Sequence, residues 1–410
     1  MSFRQKKCLG CGNLLPEPFL DLGTPPLVNA LVRPEEAHIR EAGFPLAVAC
    51  CQACHLVQLT DLVPPERMFT EYVYFSSYSD SFLAHACDMA ESLTARFALG
   101  PESRVLEVAS NDGYLLKYFK QRNINVLGVE PARNIAAEAE RRGIPTLNCF
   151  FGLEAVEKIA SGFGQADLII GNNVLAHVPA INEFLQAVKL CLKPAGAAVF
   201  EFPYLKDLLD GTEFDTIYHE HVFYYSLSAV EKLAGRAGLQ LFDVMYRPVH
   251  GGSLRIFLQQ QGTYPVTGNV AEFLRGEKAS GLTSPGRYAS FSRDVANLKE
   301  ELRSLLYGLK AAGKRLAAYG APAKGNTLLN YCGIGTELLE FTVDRSPYKQ
   351  GLFTPGARLP IRPPEALLKE MPDYTVVLPW NLAEEIIAQQ QEYRRKGGQF
   401  IVPIPKPTVV

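Results

Sequence analysis

The chain has 410 residues, a length that favours two or three domains over one core. Its 41 basic and 43 acidic residues nearly cancel, which argues against an electrostatic nucleic-acid binder. The first residues lead into a cysteine pair without the apolar run of a signal peptide, and no apolar stretch is long enough to span a bilayer. We therefore expect a cytoplasmic protein that binds neither membrane nor nucleic acid, in which the nine cysteines stay reduced.

Residues 1–70 are predicted to form a small zinc-binding domain. They are rich in Pro, Cys and turn formers and have little periodicity, so something besides a core must hold them. Cys8-x-x-Cys11 and Cys51-x-x-Cys54 each place two thiolates on a tight turn, and four thiolates close a tetrahedral zinc site. Because a closed site has no position for water, we expect the metal to be structural. A redox pair or chance spacing is the alternative.

Residues 71–285 are predicted to form a doubly wound α/β domain. Apolar runs alternate here with amphipathic stretches, and buried parallel strands are expected at Val105–Val108, Val126–Val129, Leu168–Ile170 and Ala197–Phe202. The runs Leu239–Tyr246 and Ser253–Gln259 have no helix between them and should pair antiparallel at one edge. Such a sheet fits the methyltransferase variant of the Rossmann-like fold. The stretch Gly268–Pro285 is poorly patterned and is expected to be a loop-rich connection.

The loop after the first strand is the predicted cofactor site. The turn Ser110-Asn111-Asp112-Gly113 lies at the carboxyl edge, where open α/β sheets bind their ligands. Glu130 ends the second strand, where a carboxylate can accept both ribose hydroxyls of a nucleoside. A dinucleotide site needs several glycines so that the backbone can approach the pyrophosphate. This loop has only one glycine, and its Asp112 would repel a pyrophosphate. The same carboxylate would suit the amino group of S-adenosylmethionine.

Two neighbouring positions extend this predicted site. Glu107 ends the first strand and either contacts the cofactor or caps and orients the loop. Asn172 and Asn173 follow the fourth strand, at the edge where methyl donor and acceptor would meet. The alternative for Asp112 and Glu130 is that they are solvated loop carboxylates.

The segment Tyr218-His219-Glu220-His221 is the predicted catalytic segment. Carbon methylation needs a base for a proton on carbon and a donor for the enolate oxygen. A histidine with an unperturbed pKa of about 6.5 fits the first role, and a tyrosine hydroxyl fits the second. A surface loop or a second metal cluster is the alternative. Tyr72 and Tyr74 belong to another aromatic cluster, which either closes over a substrate or packs as a linker.

Residues 286–410 are predicted to form a second, smaller α/β domain. Apolar residues recur at helical spacing over 289–312, and short strands are expected at Arg315–Tyr319, Phe341–Val343, Thr375–Leu378 and Phe400–Ile404, with helical stretches at Glu365–Glu370 and Ala383–Lys396. Lys324 lies at an expected helix start after the first of these strands, and Lys349 follows the second. Both are candidate phosphate ligands, with solvated surface lysines as the alternative.

In this order the motifs resemble the zinc-containing sugar C-methyltransferases of deoxysugar biosynthesis. Those enzymes use S-adenosylmethionine to methylate a nucleotide-linked 4-keto sugar beside the ketone, at C-3. The resemblance spans essentially the whole chain and rests on the paired cysteines and on YVYFSS at 72–77, EVASNDG at 107–113, NNVLAH at 172–177, YHEH at 218–221, HGGSLR at 250–255 and GAPAKG at 320–325.

The resemblance implies roles for individual residues. His221 would be the general base, assisted by Glu220. Tyr218 and either Tyr74 or Tyr72 would hold or polarise the sugar ketone.

It also implies Asn173 as a further polar contact and a Rossmann-like C-terminal domain that helps clamp the sugar nucleotide. Two alternatives stay open. O- or N-methylation of another small molecule would need no carbon base, and an RNA methyltransferase would use the zinc domain as a reader, against which the near-neutral charge argues. The sequence does not specify the sugar, the nucleoside diphosphate, the stereochemistry or the oligomeric state.

Overall fold

The N-terminal part of the chain forms short antiparallel strands around the paired cysteines. The computed structural model describes residues 2–69, 80–249, 251–260 and 262–410. Five strands and one helix come first, namely β1 (Phe3–Arg4), β2 (Leu20–Asp21), β3 (Ala47–Cys50), β4 (Val57–Leu59), β5 (Asp61–Leu62) and α1 (Glu66–Phe69). Strand β1 pairs with β5, while β2, β3 and β4 are neighbours in a second sheet.

A seven-stranded sheet forms the middle of the chain. Its part of the sequence contains α2 (Asp80–Arg96), β6 (Arg104–Val108), α3 (Leu116–Lys120), β7 (Asn125–Val129), α4 (Arg133–Arg141), β8 (Thr146–Leu147), α5 (Leu153–Gly162), β9 (Ala166–Asn172), α6 (Ile181–Cys191), β10 (Leu192–Pro203), α7 (Leu205–Asp210), β11 (Phe223–Tyr224), α8 (Leu227–Arg236), β12 (Leu239–Arg247), β13 (Ser253–Gln260) and α9 (Gly268–Ala279).

The strand order of this sheet is β12-β13-β10-β9-β6-β7-β8. All neighbours run parallel except β13, which is antiparallel to both β10 and β12. The predicted parallel strands and the edge hairpin are therefore confirmed. Because side chains on both faces of β9 are buried, its apolar run Leu168-Ile169-Ile170 has no solvent exposure.

The expectation of a loop at Gly268–Pro285 was wrong, because α9 occupies most of it. The helix packs along β12, and its Glu277 is fully buried. The Glu277 carboxylate accepts hydrogen bonds from the backbone N–H groups of Leu227 and Ser228, at 2.5 and 2.9 Å, in the first turn of α8. A carboxylate at a helix N-terminus is favourable, so this tertiary contact stabilises a helix that local patterning does not reveal.

The C-terminal part follows a long helix and contains a six-stranded sheet. Its elements are α10 (Pro285–Ala311), β14 (Leu316–Tyr319), α11 (Ala323–Cys332), β15 (Thr342–Val343), β16 (Ile361–Arg362), α12 (Ala366–Glu370), β17 (Tyr374–Val377), α13 (Ala383–Gln389), α14 (Gln391–Arg395), β18 (Gln399–Val402) and β19 (Thr408–Val409). The order is β16-β15-β14-β17-β18-β19, with only β19 antiparallel. The predicted α/β unit is confirmed, although two helices replace the single expected stretch over 383–396.

Two features join these three parts into one structure. Helix α10 buries Phe291, Leu298 and other apolar residues in a core shared with β2 and α11. Strand β11 pairs antiparallel with β4, so a segment from the middle of the chain completes the N-terminal sheet. The domain limits at 70 and 285 stay predictions. Within the described ranges, no helix is long and apolar enough to cross a membrane.

Candidate functional site

The four cysteines of the two Cys-x-x-Cys pairs form one cluster. All four sulfur atoms lie within 4.8 Å of one another, with 3.5 Å between Cys8 and Cys54 and 3.4 Å between Cys11 and Cys51. A tetrahedral zinc with Zn–S bonds of about 2.3 Å requires sulfurs roughly 3.8 Å apart, so the donor set fits the metal. With four protein ligands the site is closed, which is the geometry of a structural zinc.

The zinc cluster packs directly on the middle domain. Cys8, Cys51 and Cys54 belong to a core that also contains residues of α6 and α8. The amide of Asn182 on α6 donates to the carbonyl of Leu9, at 2.9 Å, between the first two ligands. The metal therefore stabilises the surface of the N-terminal part against which α6 and α8 pack.

The loop after β6 has a strained backbone that brings its polar groups inward. Ala109, Asn111 and Gly113 have φ values of 54°, 48° and 78°, in the left-handed region. A Cβ at Gly113 would lie 2.7 Å from Ile144, so this position requires glycine in both conformation and space. Ser110 is fully buried, and its hydroxyl faces Gly128 of β7 with no hydrogen-bond partner among the described residues.

Two buried carboxylates, Glu107 and Glu130, lie where the sequence predicts the nucleoside of the cofactor to bind. Glu130, 6% exposed, accepts hydrogen bonds from the amides of Asn111 and Ala132 at 3.0 and 2.8 Å, which leaves lone pairs on both oxygens. Glu107 is 1% exposed. Burial raises the pKa of Glu107 well above its usual range and the charges of Glu130 and Asp112 raise it further, while a hydrogen bond with Tyr114 opposes the rise. A cationic nucleoside such as S-adenosylmethionine would favour the charged forms of these two buried groups.

The other predicted cofactor residues are arranged differently. Asp112 is fully buried, and its Oδ2 forms an ion pair with Arg142 at 2.9 Å, so it braces the loop from within the protein. Asn172 donates its amide to the hydroxyl of Tyr114 at 3.3 Å, while its buried Oδ1 has no partner among the described residues. Roles for both residues in cofactor binding stay predictions.

The predicted catalytic segment, residues 218–221, holds His221 in one defined tautomer. Its Nδ1 lies 3.0 Å from the carbonyl oxygen of Thr216, which can only accept, so Nδ1 carries the proton. Nε2 then presents its lone pair, and the hydroxyl of Tyr218 donates to it at 2.8 Å. The arrangement places a neutral imidazole acceptor and a phenolic hydroxyl side by side.

The surroundings keep this imidazole neutral. Burial, followed by the charges of His177 and Lys324, holds the pKa of His221 well below its usual range, although the Thr216 carbonyl opposes the shift. The ring of His177 lies 4.9 Å from that of His221. Because the shift is downward, the base form is present at neutral pH and is lost only when the pH falls through the depressed pKa.

Glu220 contacts the zinc domain rather than His221. Its Oε1 accepts from the side-chain amide of Asn29 at 2.6 Å, and its backbone carbonyl accepts from Nδ1 of His177 at 2.7 Å. Burial raises the pKa of Glu220 to about 7, with Asn29 opposing. Both hydrogen bonds of His221 go to other residues, so any assistance from Glu220 stays a prediction.

The remaining predicted substrate residues follow strand β9 or belong to the C-terminal part of the chain. Asn173 has a φ of 53°, and its backbone N–H donates to the carbonyl oxygen of Glu201. Lys324, at the start of α11, donates to Asn381 at 2.9 Å, whereas Lys349 donates to the carbonyl of Ala321 at 2.9 Å. The two lysines thus flank the loop before α11. Tyr72 and Tyr74 lie outside the described residues.

Two residues near the catalytic segment were missed by sequence reasoning, Asn29 and Trp380. Nothing in the local pattern around Asn29 marks it, because its contact with Glu220 joins residues 191 positions apart. Trp380 did carry a signal. It is the only tryptophan of the chain and follows β17, at the carboxyl edge where open α/β sheets bind ligands.

Comparisons with known proteins cover the whole chain. Family models match residues 8–69 as a zinc-binding domain, 81–244 as a methyltransferase domain and 248–405 as a C-methyltransferase C-terminal domain. The chain is 38% identical to the C-methyltransferase NovU of Streptomyces niveus over 408 residues, which is 98% of this chain and 96% of NovU.

Solved structures resemble a part of the chain. An S-adenosylmethionine-dependent methyltransferase from Clostridium acetobutylicum is 15% identical with a TM-score of 0.34, over 43% of this chain and 91% of its own. The CcbJ methyltransferase of Streptomyces caelestis is 12% identical with a TM-score of 0.35, over 43% and 90% of the two chains.

The matched domains make the chain an S-adenosylmethionine-dependent methyltransferase that carries a zinc-binding domain. Given its identity with NovU along nearly the full length of both proteins, the chain belongs to the zinc-containing C-methyltransferase family. Its acceptor atom is therefore a carbon.

Removal of one zinc ligand should empty the metal site. We expect about one zinc per chain in the wild type and well under half of that in Cys51→Ser, because three thiolates no longer close the tetrahedron. Metal content by mass spectrometry and thermal unfolding measure both consequences. The matched control is Cys50→Ser, the adjacent thiol outside the cluster. Equal zinc content in Cys51→Ser and the wild type would contradict the assignment.

Loss of the Glu130 charge should weaken nucleoside binding. In Glu130→Gln we expect S-adenosylhomocysteine to bind about 10- to 100-fold more weakly in calorimetry, because a charged acceptor for the ribose hydroxyls is lost. Glu140→Gln is the matched control, since Glu140 is exposed on the helix that follows β7. Unchanged affinity in Glu130→Gln would remove Glu130 from the cofactor site.

Proposed function

We propose that the chain methylates a nucleotide-linked 4-keto deoxysugar at the carbon beside the ketone. The observation that carries the proposal is the pairing of Tyr218 with His221. A neutral imidazole with its lone pair fixed next to a phenolic hydroxyl suits removal of a proton from carbon and stabilisation of the enolate oxygen that results. Methyl transfer to oxygen or nitrogen would need no proton removal from carbon and no donor to an enolate oxygen.

His221 acts as the base in this mechanism. The Tyr218 O–H first turns from Nε2 to the ketone oxygen, which frees the Nε2 lone pair. Nε2 then takes the proton from the carbon beside the ketone, the electron pair of that C–H bond forms the C=C bond of the enolate, and the C=O π pair moves to the ketone oxygen. The protonated Nε2 can then donate to the oxygen of Tyr218 while the Tyr218 O–H donates to the enolate oxygen. Thr216 accepts from Nδ1 throughout, so the imidazole does not rotate.

The cofactor supplies the electrophile. When bound, S-adenosylmethionine provides the methyl group that the enolate carbon takes up as the ketone is restored. The carboxylates of Glu130 and Glu107 and the Oδ1 of Asn172 are the groups proposed to hold it. The zinc cluster has four protein ligands and takes no part in the chemistry.

Contacts with the substrate are proposed for both faces of the catalytic segment. Asn173 lies on the side of the methyltransferase sheet, while Lys324 and Lys349 lie at the start of the C-terminal domain, where a diphosphate would meet cationic side chains and a helix N-terminus. Family resemblance adds Tyr74 or Tyr72 as a ligand of the ketone. The sugar nucleotide would therefore lie between the two α/β domains.

The base assignment is tested by exchange without methyl transfer. With S-adenosylhomocysteine and a nucleotide-linked 4-keto sugar in deuterium oxide, the wild type should introduce deuterium beside the ketone. His221→Ala should slow this exchange and methylation by at least about 100-fold while binding the cofactor normally. His38→Ala, an exposed histidine, is the control. A fully active His221→Ala enzyme would exclude His221 as the base.

A further inference from the structure

Trp380 connects the C-terminal domain to the methyltransferase domain through a buried carboxylate. It begins the short helical turn Trp380–Leu382, and its indole N–H donates to Oδ2 of Asp215 at 2.8 Å. Asp215 is fully buried, and its Oδ1 accepts no hydrogen bond within the described ranges. The indole N–H is thus a main hydrogen-bond donor that offsets the free-energy cost of burying this carboxylate away from water.

Asp215 lies in the turn that orients the proposed base. The turn Phe214–Thr216 ends with the residue whose carbonyl accepts Nδ1–H of His221, at 3.0 Å. Helix α11 of the C-terminal domain packs over the same turn, where the ring of Tyr331 lies 5.1 Å from that of Phe214. The carbonyl that fixes the tautomer of His221 is therefore one residue away from the carboxylate that Trp380 holds.

The charges around this contact favour the ionised carboxylate. Burial raises the pKa of Asp215 to about 6, whereas the charge of Lys324, the Trp380 hydrogen bond and, more weakly, the backbone N–H groups of Asp215 and Thr216 oppose the rise. Lys324 lies 4.5 Å above the indole ring and donates to Asn381, which follows Trp380. A cation on the ring face and an acceptor at its N–H hold the indole from two directions.

We propose that Trp380 is a positioning residue for His221: by holding Asp215, it keeps the Thr216 carbonyl where it selects the imidazole tautomer with hydrogen on Nδ1. Loss of the indole N–H leaves a buried carboxylate without this partner, so the turn relaxes and the carbonyl moves. The other tautomer carries its proton on Nε2, which then cannot accept one. The inferred effect of Trp380 on the His221 tautomer does not depend on the proposed function, whereas the expected effect on turnover rests on it.

The test is Trp380→Phe, which keeps an aromatic ring and removes the donor. Histidine-selective ¹⁵N NMR, with the His221 signals identified by their loss in His221→Ala, should show one tautomer in the wild type and a mixture in Trp380→Phe. With a keto sugar nucleotide, kcat should fall about 10- to 100-fold, as expected for a displaced reacting group, while KM and cofactor affinity stay within about 2-fold.

Two further variants separate positioning from general damage. Tyr331→Phe removes a polar hydrogen from another aromatic residue of the same interface and should keep the single tautomer and the wild-type kcat. Asp215→Asn retains an acceptor for the indole and should also keep the tautomer, whereas Asp215→Leu should reproduce the mixture seen with Trp380→Phe.

The outcomes are distinguishable. A single Nδ1–H tautomer in both Trp380→Phe and Asp215→Leu would overturn the inference, whether or not either variant is active. If Trp380→Phe does not fold, a single tautomer in Asp215→Leu still overturns it. A mixture of tautomers in an enzyme whose wild type shows no deuterium exchange would contradict the proposed function and support the positioning role.

Discussion

Residues 214–224 form a short segment that contacts from three parts of the chain hold in place. The positions of the candidate site residues depend on these contacts. The zinc domain holds the segment through Asn29 and through the pairing of β4 with β11. The methyltransferase domain contributes His177, and the C-terminal domain contributes Trp380. Since these hydrogen bonds are part-buried and 2.6 to 2.8 Å long, the position of the imidazole in this segment depends on all three domains. Zinc thus stabilises the surface that holds His221, the proposed base.

Electrostatics differ sharply between the two halves of the proposed site. On the cofactor side, buried Glu107 and Glu130 have raised pKa values, which a cationic ligand would lower again. On the substrate side, burial is the main reason that the pKa of His221 lies well below its usual range, and the charge of Lys324 lowers it further. An imidazole that starts neutral can take a proton, which suits the proposed role of His221 as the base. The two environments therefore assign different chemistry to neighbouring groups.

Sequence patterns predicted the features that depend on residues close together in the chain. Apolar runs gave the buried strands of both sheets, the Cys-x-x-Cys pairs gave the metal cluster, and the segment around His221 was recognised by its density of titratable groups. Contacts between distant residues were not predictable. Strand β11 has two residues and pairs with β4 across more than 160 positions. Glu277 of α9 accepts hydrogen bonds from the first turn of α8, about 50 residues earlier, and Asp112, for which we expected a contact with the cofactor, is paired with Arg142.

The proposed acceptor atom is the carbon beside a sugar ketone. The most direct measurement is incubation with methyl-labelled S-adenosylmethionine and a panel of nucleotide-linked 4-keto sugars, followed by mass spectrometry and carbon NMR. We expect a new labelled methyl carbon bonded to the ring carbon next to the ketone. Label on a hydroxyl oxygen or an amino nitrogen of the sugar would contradict the proposed acceptor. So would transfer to a small molecule without a ketone when none of the keto sugars is labelled.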